Sequence, residues 1–345
     1  MYLKSIAQAV PSHAMTQEDC LKILKSSTAL SNLKNRSVEL LEKILLGNTG
    51  IDKRHFAVPD LNILPSYDAE FLNREFLREA PALAETALNK ALEKAQLQAT
   101  DLDALFVCTC TGYLCPGISS YVAERMDMNR RAYLQDIVGL GCGAALPTLR
   151  SAHNFIKENP DAYVACIAVE ICSAAFYLDD DPGVIISLCL FGDGASASIW
   201  SGNDTGLGWE TGNFDTLHVP EDRELLRFEN KQGRLRNKLD RSIPGKASLA
   251  VKELYDNALP ESASSNRIIS HGGGRDVIAA LQSQIPNYNF EESKSILKQY
   301  GNMSSPSVLF ALQEALEKND SENLWLTSFG AGFAAHSLSL TRTAS

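Results

Sequence analysis

The sequence predicts an α/β fold, and three observations carry that expectation. Compact apolar runs of strand length alternate with longer stretches whose apolar residues recur at helical spacing. The chain has 345 residues, 45% of them hydrophobic, enough to bury a large core as two domains or one duplicated one. Two blocks far apart in the chain also read as versions of a single unit.

Taken in order, a helix is expected over Pro81–Ala95, then a strand over Ala104–Cys108 and a helix over Gly117–Met126. A strand over Tyr133–Val138 leads to a helix over Ala144–Glu158 and strands over Tyr163–Val169 and Ser196–Trp200. Further on come a strand over Arg267–Ser270, helices over Gly274–Gln284 and Ser305–Glu317, and a strand over Leu324–Thr327. The first repeated block runs from DALFVCTCTG through GLGCGAALPTLRSAHNFI to DAYVACIAVE. The second runs from SNRIISHGGG through YGNMSSPSVLFALQEAL to ENLWLTSFGAG. Each is a strand ending in a glycine turn, a small-residue turn opening a helix, and a second strand. The spacing from Thr111 to Cys142 is 31 residues, and so is the spacing from His271 to Asn302. Identity between the blocks is low, and such units are common in α/β chains. If they are related by a pseudo-twofold axis, the turns at Cys142 and Asn302 face one another. The expected division is an N-terminal half over 1–200 carrying a nucleophile and a C-terminal half over 201–345 carrying a histidine and an asparagine.

Composition narrows the function. A net charge of -10 and a pI near 5.2 argue against a nucleic-acid partner. No apolar run reaches 18 residues, so no membrane helix is expected. The N-terminal MYLKSIAQAVPSHAMTQEDC turns polar too soon for a signal peptide, which points to the cytoplasm. The eight cysteines form no CxxC pair, and Cys108 and Cys110 lie in an apolar run without a second pair, so no metal site is expected. Most of them should be buried, reduced and inert.

Cys142 stands apart. It is flanked by glycines in G-L-G-C-G-A-A and precedes a helix, whose free N–H groups favour thiolate and can hold an oxyanion. Another buried structural cysteine is the plainer alternative. His271 ends an apolar run and precedes three glycines, where it meets either a substrate or an ordinary loop partner. Asn302, in Y-G-N-M-S-S-P, lies at a helix start, where asparagine is also a common cap. Gly330 and Gly332 form a tight turn after a strand.

Together YGNMSSPSVLFALQEAL, LCLFGDGASASI, SHGGGRDVI and GCGAALPTLRSA resemble the thiolase superfamily, and within it the type III polyketide synthases, the chalcone-synthase-like enzymes. The resemblance spans roughly residues 100–345. It implies a thiolase-like layered αβαβα sandwich of two related halves, working as a homodimer. Cys142 would then be the acyl-accepting nucleophile. His271 would pair with it and, with Asn302, stabilise the enolate left when a malonyl thioester loses carbon dioxide. The expected reaction is a decarboxylative Claisen condensation needing no cofactor, with coenzyme A or acyl-carrier-protein thioesters as substrates. Phe191 matches the aromatic gate to the cavity. Cys110, Cys172, Ala175 and Ser304 match its lining, and Cys115 matches the position that reaches into the partner's cavity. A second gate falls on Asn237 and a lining glycine on Phe228, which would shrink the cavity.

The first hundred residues depart from the plant enzymes. The cations that grip coenzyme A have no counterpart in SVELLEKILLGNTG, and GNTGIDKRHF looks more like ketoacyl-carrier-protein synthase III. That sister family makes a single condensation, which is the alternative reading. The segment RFENKQGRLRNKLDR carries Arg227, Lys231, Arg234, Arg236, Lys238 and Arg241. It reads either as a basic hairpin for a coenzyme A phosphate or acidic carrier protein, or as a solvated hairpin with alternating charges.

Overall fold

The computed structural model describes residues 1–203, 206–258 and 267–343. Its strands are β1 (Tyr2–Ala9), β2 (Ala14–Thr16), β3 (Lys53–His55), β4 (Ala104–Thr109), β5 (Tyr133–Val138), β6 (Tyr163–Glu170) and β7 (Gly194–Ser201). They continue with β8 (Trp209–His218), β9 (Leu226–Lys231), β10 (Arg234–Leu239), β11 (Arg267–Ser270), β12 (Asn323–Gly330) and β13 (Ala334–Arg342). The helices are α1 (Gln17–Ser26), α2 (Asn35–Leu46), α3 (Ala69–Ala95), α4 (Ile118–Arg125), α5 (Ala145–Glu158) and α6 (Pro182–Leu190). Four more follow: α7 (Ile243–Asn257), α8 (Arg275–Gln284), α9 (Glu291–Tyr300) and α10 (Pro306–Lys318).

Nine strands share one sheet in the order β11-β12-β13-β8-β1-β7-β6-β4-β5. The order repeats. On one side β4 is parallel to β6, β6 antiparallel to β7 and β7 antiparallel to β1. On the other, β11 is parallel to β12, β12 antiparallel to β13 and β13 antiparallel to β8. The two sets meet where Tyr2 of β1 pairs with Glu210 of β8.

Side-chain direction turns this sheet into five layers. In β4, Ala104, Phe106 and Cys108 pack with α5 and α10, while Leu105 and Val107 pack with α3 and α4 on the opposite face. In β12, Leu324 and Leu326 join the same α5–α10 layer, and Trp325 and Phe329 face α7 and α8. Strands buried on both faces have no polar side, which is why β4 and β6 read as unbroken apolar runs. The arrangement is the layered αβαβα sandwich of two related halves that the sequence led us to expect.

One element differs from expectation. The helix ending at Ala95 begins at Ala69, so Pro81 lies inside it rather than at its start. Proline removes one backbone bond there. The buried face formed by Leu72, Phe76, Ala80, Leu83, Ala84, Ala87, Leu88 and Ala91 outweighs that loss. The segment Leu226–Leu239 does form a hairpin, turning through Gln232 and Gly233.

Candidate active site

Cys142 sits in a single 3-10 turn, Gly141–Gly143, immediately before α5. The turn is seated against the end of β12. A side chain on Gly330 would lie 2.2 Å from the Leu140 carbonyl and 3.1 Å from the Cys142 nitrogen, so only glycine permits this approach. Ser328 Oγ donates to the Gly143 carbonyl at 3.0 Å and fixes the turn from the same side. The SFGAG motif thus supports the cysteine.

From the opposite half, the turn before α10 supplies Asn302 and Ser304. Ser304 Oγ donates to Cys142 Sγ at 3.2 Å and lies 3.2 Å from Cys110 Sγ, so one hydroxyl bridges two thiols. Ser304 has φ +58, an unusual value for a residue other than glycine. Asn302 Oδ1, accepting from the Ser304 nitrogen at 2.8 Å, holds it there. Asn302 Nδ2 donates to the Gly273 carbonyl at 2.8 Å, which ties this turn to the glycines following His271. His271 ends β11, is buried, and stacks at a tilt on Phe329 with ring centroids 5.2 Å apart. Its Nδ1 is buried without a hydrogen-bond partner.

Beneath these residues lies a buried carboxylate that the sequence reading missed. Glu170 Oε2 accepts from the Cys110 and Thr111 nitrogens at 2.9 and 3.1 Å and from Thr111 Oγ1 at 2.9 Å, while Oε1 accepts from Ser305 Oγ at 2.6 Å. It joins the end of β4 to the turn carrying Asn302 and Ser304. An acid ending the apolar run YVACIAVE was the available signal.

The electrostatics correct one expectation. Burial pushes the Cys142 thiol up to about 12, against the hydrogen bond from Ser304, and the Glu170 carboxylate opposes an anion there as well. Burial pushes His271 down to about 4. Cys142 is half-buried, and its loss of hydration outweighs the helix-start effect anticipated for it. A lone thiolate and a lone imidazolium are thus both disfavoured at this site.

A small cavity lies beside the Cys110 and Cys172 thiols, and the Cys142 thiol meets its wall through Ser304. Cys110, Cys172, Ala175, Phe191, Asn237 and Ser304 all line it, as does Phe228. Cys115 does not; it is exposed on the loop after β4. The roof is the β9–β10 hairpin, and three of its cations are engaged within the molecule. Arg234 donates to the Tyr67 carbonyl at 2.7 Å and lies over the Tyr177 ring, Arg236 pairs with Asp181, and Lys238 pairs with Glu229. Arg234 and Arg236 brace the cavity and are not free to grip a carrier.

Acid should weaken the fold partly through a histidine behind the Cys142 turn. Burial lowers His336 from 6.5 to about 4, so between these values the unfolded chain binds a proton that the folded one does not. Stability is then lost as pH falls through that window, on the order of 3 kcal/mol for this group. Asp193, raised from 3.8 to about 6 by burial, acts in the opposite sense. His336→Gln should flatten the fall of melting temperature between pH 6.5 and 4.5. An unchanged slope would remove His336 from the account.

The FAE1/type III polyketide synthase-like family model matches residues 5–208. A model of the C-terminal part of 3-oxoacyl-[acyl-carrier-protein] synthase III matches residues 262–342. The chain is 28% identical over 337 residues to 1,3,6,8-tetrahydroxynaphthalene synthase of Streptomyces coelicolor, covering 95% of this chain and 88% of that one. It is 24% identical over 336 residues to phloroglucinol synthase of Pseudomonas fluorescens, covering 94% of each. The crystal structure of the Streptomyces coelicolor tetrahydroxynaphthalene synthase superposes with a TM-score of 0.89 at 24% identity, with all of both chains covered.

Proposed function

The chain belongs to the FAE1/type III polyketide synthase-like family, and from that premise we propose that Cys142, His271 and Asn302 carry its reaction, the decarboxylative Claisen condensation of an acyl thioester with a malonyl thioester. The observation that carries the assignment is the Cys142 thiol hydrogen-bonded by Ser304, which lines the cavity and whose backbone is held by the pinned amide of Asn302. In the first step Cys142 Sγ attacks the acyl carbon of the starter thioester. The Sγ–C bond forms, the bond to the carrier sulfur breaks, and the thiol proton passes through His271 to the departing sulfur. In the second, the malonyl thioester loses carbon dioxide and the electron pair moves onto its thioester oxygen as an enolate. Asn302 Nδ2 spends one N–H on Gly273 and has a second for that oxygen, and the neutral imidazole supplies another donor. Such donors are each worth roughly 3 kcal/mol in an enclosed site. The carbanion then attacks the acyl group on Cys142, forming the C–C bond and breaking the Sγ–C bond, and the released thiolate takes a proton from water.

Thiol, imidazole and amide complete every step, so this reading calls for no resident cofactor. The carrier is coenzyme A or an acyl carrier protein. The bulk of Phe228 in the cavity wall favours few extensions. A homodimer is supported by β5, one of the two edge strands of the sheet, which exposes Tyr133, Leu134 and Val138. Among the described residues no helix is long and apolar enough to cross a membrane, in keeping with a cytoplasmic enzyme.

The match of residues 262–342 to the synthase III model favours a second reading, a single condensation. Mass spectrometry of products from a panel of acyl-coenzyme A starters and malonyl-coenzyme A separates the two. Products carrying two or more malonyl-derived units support the first reading and single additions support the second. Absence of any condensate, with carrier-protein thioesters also tried, would overturn both.

A further inference from the structure

Arg54, on β3, is 1% exposed, yet among the described residues no carboxylate pairs with it. A guanidinium without a counter-ion is costly to bury, so its neighbours must account for its presence. Nη1 donates to the carbonyls of Leu188 and Phe191 at 2.6 and 2.8 Å, at the C-terminal end of α6, where the helix dipole is negative. Nε donates to Gln17 Oε1 at 2.9 Å, and the guanidinium lies 4.9 Å from the centre of the Phe56 ring.

The segment that Arg54 grips is the one on which Asn302 rests. The Asn302 nitrogen donates to the Leu190 carbonyl at 2.9 Å, and the Gly192 nitrogen donates to the Asn302 carbonyl at 3.0 Å. Residues 190–192 are thereby held between Arg54 and Asn302. The arginine stem also packs directly against the residue before Asn302. A side chain on Gly301, where φ is +71, would lie 2.6 Å from Arg54 Cγ. We infer that Arg54 is a positioning residue for the condensation, a buried cationic clasp that sets Asn302 and the cavity-lining Phe191 through the 190–192 backbone. The inference rests on the reading above that Asn302 holds the enolate. Cys142 is seated on β12 and lies outside this clasp, so the two half-reactions should respond differently.

The test compares Arg54→Lys, Gln17→Leu and Asn302→Ala with the parent. It measures carbon dioxide released from malonyl-coenzyme A, Cys142 alkylation by iodoacetamide, and melting temperature. A single ammonium cannot reproduce the planar fork that reaches Leu188 and Phe191 from Nη1 and Gln17 from Nε. Arg54→Lys should therefore lower kcat for decarboxylation about tenfold or more, while its KM and the alkylation rate stay within about twofold of the parent. Gln17→Leu keeps the cation but frees Nε, and should move kcat the same way by about threefold, which keeps the test available if Arg54→Lys fails to fold. Parallel loss of decarboxylation and alkylation, or no loss in either folded variant, overturns the inference about Arg54. Undiminished decarboxylation in Asn302→Ala overturns the reading of Asn302 itself, a separate result.

Discussion

Cys142→Ala should abolish acyl-enzyme formation and lower condensation on the order of 10⁵-fold, the scale at which removing a covalent nucleophile is felt. The geometry leaves no substitute. Cys110 is the nearest thiol, 3.2 Å from the same Ser304 hydroxyl, but burial and the Glu170 carboxylate hold its pKa well above the usual thiol value. Cys172 also lines the cavity, and burial together with Asp193 raises it in the same way. Cys142 is disfavoured as a lone anion as well, so its reactivity must come from a partner that takes the proton. A buried thiolate and a buried imidazolium each carry a desolvation cost, and formed together they offset it. Intact-mass spectrometry after incubation with an acyl-coenzyme A checks the prediction, and an adduct on the alanine variant would sink it. Cys142→Gln leaves the enolate donors in place and should keep decarboxylating malonyl-coenzyme A while making no condensate.

The trio proposed to carry the reaction was legible because each member interrupts a local pattern. Cys142 lies between glycines at a helix start, His271 closes an apolar strand on three glycines, and Asn302 follows a glycine before a helix. Strands β4 and β6 were legible for a related reason, since burial on both faces leaves no polar residue to obscure them. β1, β8 and β13 were not. β13 hides Ser337 and Ser339 within the sandwich, and small hydroxyl residues look like loop residues until the sheet buries them. Glu170 and Arg54 were missed because their partners are backbone and small neutral side-chain groups far along the chain rather than opposite charges. A carboxylate satisfied by the end of β4 and a cation satisfied by the end of α6 leave no spacing to read. The surroundings of the thiol were hidden in the same way, since Ser304 and Glu170 reach Cys142 from distant segments. A helix start is visible in sequence, whereas enclosure by the opposite half of the sandwich is not.

The second large effect separates His271 from Asn302. Asn302→Ala removes the free amide N–H that this reading gives to the enolate. It also removes the acceptor that holds the Ser304 nitrogen. Decarboxylation should fall about 10²- to 10³-fold, the cost of one donor to a developing oxyanion. Cys142 stays in its turn against Gly330, so acylation by the starter should survive with a smaller loss, traceable to a displaced Ser304. His271→Gln should damage both steps, because the imidazole takes the thiol proton in the first and donates to the enolate in the second. Held neutral by burial down to about 4, it can accept or donate at one ring nitrogen each without prior charging. Stopped-flow acylation beside carbon dioxide release resolves the two variants. An Asn302→Ala protein that acylates no better than His271→Gln would mean that the two side chains act as a single unit, and the division of labour drawn from their separate positions would have to be given up.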